Sequence, residues 1–562
     1  MKIMTMKRNI FVKGLASLAV AAGLAGCSSD YLEVVPETSV DASSVQTTVE
    51  GARSAMYGAC RSMYAQYSEL DGYNSFNGES WVSMFYGEVF GQDYFSLLWA
   101  ARSGSNYTWV NNTSYMGWTC SLAWRYCYNL VNQCNVILDG IDNIEGDKNE
   151  LDLIKAEALT LRSHAYVRLL QLYAPRWADS REGSRKCIVL RLHSGVEEIP
   201  LSTMAEVLTN IYESLDEAIA LFEGTSEKTI YCWEPNVDVA RGIYARAAML
   251  RNDYPTAEKM AHDARVGHPI MSEAEFLGGF AEANKEWMWC NTSEVEGIYY
   301  WAHGSWYACQ GPYPTLWPFG AGTINYDLYK QIPAGDIRAS QFFTPDKPLR
   351  SPLTKSSFWN PNICDPATMN LAKNANMKIS INGYGSKMIP GGDKAKWGAP
   401  YEPKESGGEE VVIPFGAHFK FWALDNYGSN QFPYMRGAEM LLTEAEAAYM
   451  NSKPTVAQNL LKELNAERNS KYTCNLTGDA LLKEIKLQRR IELWGEGHSW
   501  FDLKRWGDDM VRRPWEAKDN SSNNVPKQYS FTRHSSDMKG WVYAVPNIET
   551  QYNHAINRSE LD

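Results

Sequence analysis

Nowhere in its 562 residues does the chain hold a run of about 18 consecutive apolar residues, which excludes a polytopic helical membrane protein. It also lacks a surplus of positive charge: 54 Lys and Arg against 66 Asp and Glu leave a net −12. A sequence-independent nucleic-acid binder must displace phosphate counterions with clustered cations, so no nucleic-acid partner is expected. Cysteines are present, but none form a C-x-x-C pair or a zinc-type spacing. Cys120, Cys127 and Cys134 recur on one helical face, too far apart to chelate from a single helix, and read as small apolar core residues. A bacterial envelope would permit disulfides, but their pairing cannot be read from spacing. The acids Asp139, Asp142, Glu145 and Asp147 cluster, but their spacing fits no calcium loop; no metal ligand is assigned and no cofactor is expected. What the chain does have is rings: 20 Trp, 32 Tyr and 18 Phe, or 12% of its residues. With 44% apolar and 21% charged residues it is a folding sequence, not a disordered one.

The first residues read as an address rather than as structure. Lys2, Lys7, Arg8 and Lys13 precede an apolar stretch, Leu15 to Ala25, that is too short to span a bilayer. It ends in Leu24-Ala25-Gly26-Cys27, which resembles a bacterial lipobox, so Cys27 is expected to be lipidated and residues 1–26 removed. A diacylated or triacylated cysteine anchors a globule firmly at a membrane surface. The route points to a bacterial envelope.

Helical periodicity marks two separated parts of the chain. Leu151, Ile154, Ala158, Leu161, Ala165, Leu169 and Leu172 step by three or four, as do Met204, Val207, Ile211, Leu215, Ala218 and Phe222. Residues 237–266 read as two helices joined at Asn252–Pro255, with small residues at the contact. Residues 437–469 repeat the plan around Asn451–Pro454. Such units resemble tetratricopeptide-like hairpins. Between them, 267–430 is rich in Gly, Pro, Asn, Trp and Tyr without either period. That is too long for one loop, and an irregular subdomain carried on the helices is expected. The expected division is 1–26 signal peptide, 27–266 N-terminal helical region with aromatic loops, 267–430 inserted subdomain, and 431–562 C-terminal helical region.

Tryptophans cluster in 81–124, 287–317 and 494–541, and no period orders the middle cluster into a core face. Rings on loops form flat amphipathic platforms at small entropic cost, and the C–H face of a sugar packs on such a platform. The alternative is that the rings form the small core of an irregular subdomain. In the last cluster, Glu492 and Glu496 lie four apart, as do His498 and Asp502. Either pair could chelate a divalent ion or act as acid and base. The preferred reading is a buried polar network with partners such as Arg489, Arg490 or Arg505.

That motif carries a resemblance. Arg489, Arg490 and Glu492, then Leu493-Trp494-Gly495-Glu496-Gly497-His498 and Trp500-Phe501-Asp502-Leu503-Lys504-Arg505-Trp506, resemble the signature of the SusD/RagB family of outer-membrane nutrient-binding lipoproteins of Bacteroidota. Asp30-Tyr31-Leu32-Glu33, Trp124 with Tyr128 and Asn135, Ala156-Glu157-Ala158, Tyr434-Met435-Arg436 and Ala544-Val545-Pro546-Asn547 match other family segments. Two departures are Ser499, where the family usually has Arg, and a short Ser28-Ser29-Asp30 after the lipid cysteine. The resemblance implies a mostly α fold of tetratricopeptide-like hairpins, the SusD-like fold, with an inserted ligand-binding subdomain. It also implies an outward-facing outer-membrane location and a SusC-like TonB-dependent transporter as partner, to which glycan is delivered unchanged.

Loop texture and that architecture together make Trp99, Trp109, Trp301, Trp306, Tyr307, Tyr313 and Trp317 the candidate substrate-binding residues, with no catalytic residue expected. Two other readings stay open. A peptide-binding or helical-repeat adaptor lipoprotein, as in RagB-like relatives, would bind no sugar. A surface glycoside hydrolase would need two carboxylates about 5–10 Å apart, for which Glu294, Glu296 and Asp327 lie near the rings.

Overall fold

The structure, a computed structural model, describes residues 45–64, 78–95, 107–280, 282–291, 322–342 and 431–514, most of 523–558, and 561. It also describes residues 416, 418, 420 and 421, and the backbone of 377–381, 384–390 and 411–413. Cys27, Trp99, Glu294, Glu296, Trp301, Trp306, Tyr307, Tyr313 and Trp317 lie outside the described residues.

The fold is mostly α, as its periodicity predicts. Among the described residues its α-helices of eight residues or more are α1 Val49–Ser62, α2 Trp118–Gly140, α3 Lys148–Tyr173, α4 Met204–Gly224, α5 Val237–Arg251, α6 Tyr254–Arg265, α7 Gly437–Met450, α8 Pro454–Ala466, α9 Gly478–Glu492 and α10 Ser499–Trp506. Local chemistry sets their ends. Asp147 and Asn236 accept backbone N–H bonds at the starts of α3 and α5, Thr203 and Glu206 form a capping box on α4, and Pro454 opens α8. Asn252 turns α5 into α6 in the left-handed region at φ 60°.

From α2 to α9 each helix packs on the next, so the hairpins form a continuous stack. The order runs straight from α6 to α7, although the whole 267–430 stretch separates them in sequence. Helix α3 differs from its apolar-stripe pattern. It is buried nearly all round from Leu153 to Tyr173, because α1, α2, α4 and α5 surround it. Its buried Glu157, Arg162, His164 and Arg168 were therefore not legible as core positions. Cys120, Cys127 and Cys134 are buried on α2, as expected.

Short strands tie distant segments to the stack. β1 Tyr94–Phe95 pairs antiparallel with β3 Thr323–Ile324, and β2 Trp287–Cys290 with β4 Pro433–Arg436. Trp287 and Trp289, two rings of the middle cluster, are thereby strand residues and buried. Strand order does organise that end of the cluster, contrary to the loop reading. No helix among the described residues is long and apolar enough to cross a membrane.

Candidate ligand-binding surface

The signature 489–506 is a structural anchor. Glu492, at the end of α9, meets Arg436 at 3.0 Å, Arg468 at 3.1 Å and Arg338 at 3.3 Å. Glu496 accepts from Arg436 Nε at 2.7 Å and from Lys420 Nζ at 2.6 Å, while Glu286 meets Arg436 and Asp336 meets Arg338. Four cations thus face four carboxylates, all almost fully buried, so the cluster is neutral as a whole. Burial alone would push the Glu492 carboxyl up. Arg468, Arg436 and Arg338 more than reverse that and hold it well below the usual carboxylate range.

The network reading holds: Asp502 takes two of the expected partners, Arg489 and Arg505, whereas Glu492 and Glu496 take others. Arg489 pairs with Asp502, Arg490 with Asp93, and Arg505 with Glu446 and Asp502. Sequence spacing could not show this, because Arg338, Arg436 and Lys420 arrive from remote segments. Glu286, Arg338 and Lys420 lie within the 267–430 stretch and Arg436 just beyond it, so the cluster is one place where that stretch is joined to the helical stack.

Glycines make the signature turn possible. At Gly497 φ is +88°, and a Cβ on Gly87 would stand 2.2 Å from the Gly497 carbonyl oxygen. Residues Val82–Val89 form a π-helical turn against this loop, and Glu88 Oε1 accepts the N–H groups of Gly497 and His498 at 2.8 and 3.1 Å. Burial pushes the Glu88 carboxyl up to about 8 despite those two bonds. A raised folded-state value stabilises fully below the unfolded-state value, and that contribution disappears as pH climbs through about 8. Glu88→Gln keeps an acceptor without the charge. The variant's stability is expected to rise relative to the native chain as pH goes from 5 to 9, by on the order of a few kcal/mol, which a series of thermal midpoints against pH would show as a widening gap in the variant's favour.

Trp109 is not a platform. It is 1% exposed and packs edge-on against Trp500 and Trp541, and its Nε1 donates to the Phe90 carbonyl at 3.1 Å. Its loop position misled because the C-terminal segment, with Phe531 and Trp541, folds back over it. Asp327 is likewise committed, to Arg513 at 3.0 Å, Lys330 at 2.9 Å and Asn523. Among the clustered acids, Asp139 holds Ser194 and His193, Asp142 pairs with Lys155, and Asp147 caps α3. No group of metal-ligating side chains occurs among the described residues. The cavity between Leu170, Trp177, Met204 and Phe501 is about 30 Å³, the size of a water site and not of a ligand site.

Partly exposed rings do come together elsewhere. Tyr231 stacks on Trp233 at 4.9 Å with an 8° interplanar angle, and Tyr57 of α1 meets Trp233 edge-on at 5.2 Å. Tyr231 is 48% exposed, the neighbouring Ile230 79%, and Trp233 and Tyr57 are half-buried. The mount is rigid. Buried Glu234 accepts the N–H groups of Ile230 and Tyr231 at 2.8 and 2.7 Å, and Trp289 Nε1 donates to the Trp233 carbonyl at 3.1 Å. Arg53, held by Glu157 and Glu150, lies 5.4 Å from the Tyr57 ring centre. Sequence reasoning missed this shelf because Trp233 stands outside the three tryptophan clusters. The signal was the short run Tyr231-Cys232-Trp233 between two helices, closed by Pro235.

Comparison with known proteins matches both ends of the chain. A family model described as "SusD family" covers residues 424–560, and one described as "Starch-binding associating with outer membrane" covers residues 30–249. No curated protein matches. Among solved structures, a SusD-like carbohydrate binding protein from Bacteroides vulgatus ATCC 8482 is 20% identical with a TM-score of 0.67, over 91% of this chain and 98% of its own. A SusD superfamily protein from Bacteroides thetaiotaomicron VPI-5482 is 16% identical with a TM-score of 0.64, over 91% and 99%. A SusD-like carbohydrate binding protein from Bacteroides fragilis NCTC 9343 is 16% identical with a TM-score of 0.61, over 92% and 100%. At these identities the structures establish a shared fold, and the two family matches add the sequence signature at either end. On the fold and both signatures together, the chain belongs to the SusD/RagB family.

Proposed function

We propose that this protein is an outward-facing outer-membrane lipoprotein, anchored through Cys27, that binds glycan on exposed aromatic rings and passes it unchanged to a SusC-like TonB-dependent transporter. The observation that carries the reading is the Tyr57–Tyr231–Trp233 shelf, half exposed and rigidly mounted on a SusD-family scaffold. A stacked pair with one edge-on ring offers a flat apolar surface for a pyranose C–H face, and mounting it beforehand lowers the ordering cost of binding. The descriptions of the matching family model and of two solved relatives, which name starch or carbohydrate binding, support the ligand class. Trp99, Trp301, Trp306, Tyr307, Tyr313 and Trp317 remain proposed ligand-binding residues, with Tyr57, Tyr231 and Trp233 now joining them.

The reading is tested by probing the detergent-extracted protein on an array of glycans and peptides, then incubating it with each bound glycan. Binding to at least one glycan class with no new reducing ends is expected. New reducing ends would favour a hydrolase, and peptide binding without glycan binding would favour the adaptor.

A further inference from the structure

We propose that Cys232 and Cys290 are joined by a disulfide that fastens the Tyr231–Trp233 turn to the end of β2. Their sulfurs stand 2.8 Å apart, well inside the separation of two non-bonded sulfurs. The two segments are already held together, since the Cys290 N–H donates to the Cys232 carbonyl at 3.1 Å and the Trp289 indole Nε1 donates to the next carbonyl along, that of Trp233. The Gln431 amide donates to both sulfurs, at 3.3 and 3.6 Å, and so lies over the pair. Other described thiols are employed differently: Cys120 donates to the Asn111 and Asn112 carbonyls, and Cys187 to the Ser202 carbonyl. Cys232 is only half-buried and open to an oxidant, whereas Cys290 is buried.

The chemistry is thiol–disulfide exchange with a disulfide oxidant, a protein or a small molecule of the envelope. The Cys232 thiolate attacks one sulfur of the oxidant and expels the other as a thiolate, which leaves a mixed disulfide. Cys290 then loses its proton and attacks the Cys232 sulfur, expelling the second oxidant thiolate. In sum, two protein thiols lose two protons and two electrons, and the oxidant's disulfide is reduced to two thiols. Hydrogen bonds from Cys290 and Gln431 bring the Cys232 thiol down to about 7, so a substantial fraction is the attacking thiolate at neutral pH. Burial pushes Cys290 up, consistent with its role as the second, resolving thiol.

The disulfide closes the chain between residues 232 and 290 and holds the ring shelf against the strand from which the tryptophan-rich stretch departs. This inference stands on the two sulfurs and does not require the glycan reading.

The test uses the full exported chain, treated with oxidised glutathione, alkylated without reductant, digested and analysed by mass spectrometry. The peptides carrying Cys232 and Cys290 are expected as one cross-linked species that reductant separates with a gain of two hydrogens. Mild reduction is expected to lower the thermal midpoint by about 4 °C, and Cys232→Ser to show that lower midpoint with no response to reductant. Recovery of both cysteines as alkylated free thiols would overturn the proposal. So would a cross-link from either one to another cysteine, such as Cys309 or Cys364.

Discussion

Replacing Glu492 by glutamine is expected to destabilise the protein by about 3–5 kcal/mol, the typical cost of removing one partner from a buried ion cluster. The substitution leaves size and shape almost unchanged. What it removes is the charge on which Arg338, Arg436 and Arg468 converge, and all three guanidinium groups are buried. Because the cluster is neutral as built, the variant would leave one uncompensated positive charge without access to water. Urea denaturation of both proteins, with slopes compared as well as midpoints, measures the loss. A change below about 1 kcal/mol would mean that the cluster is looser or wetter than its geometry indicates. The same network gives the 489–506 segment a structural role in this chain. It joins the end of α9 to Glu286, Arg338, Lys420 and Arg436, one place where the ring-rich stretch meets the stack.

The second large effect separates core rings from surface rings. Trp109→Ala is expected to cost about 3–5 kcal/mol, as for other buried tryptophans, because it opens a hole among Phe90, Trp500 and Trp541. Trp233→Ala should behave in the opposite way. Truncating the half-buried side chain removes the ring contacts to Tyr57 and Tyr231 but keeps the turn's backbone bonds, the Trp233 carbonyl still accepting from Trp289 and Glu234 still holding the Ile230 and Tyr231 N–H groups. Stability should therefore change by about 1 kcal/mol or less. Glycan affinity should fall by about 10- to 100-fold, the range for losing an aromatic anchor. Thermal midpoints and binding isotherms for the two variants, measured side by side, check both halves.

The helical stack was legible because period and punctuation agree: Pro454 starts a helix, Asn252 ends one, and the apolar steps in 151–172 and 203–223 lie on α3 and α4. The identity of buried charges was not. Glu492 finds Arg436 and Arg338 through segments far away in sequence, while its neighbours Arg489, Arg490 and Arg505 turn to other acids. Loop texture also failed to separate an exposed ring from one covered by a later segment. Trp109 carries the same local signals as a platform residue until Phe531 and Trp541 close over it. Tyr231 and Trp233, in contrast, emerge only when α1 brings Tyr57 to the turn before α5. Clustering along the chain is thus a poor guide to clustering in space.

Whether sugar is held on exposed rings of this scaffold is decided by glycan titration of the detergent-extracted protein and its Tyr231→Ala/Trp233→Ala double variant, with thermal midpoints recorded for both. Saturable binding by the native protein is expected, with at least about ten-fold weaker binding by the variant and midpoints that nearly coincide. Undiminished affinity in a folded double variant, or no glycan binding by the native protein, would contradict the proposed function.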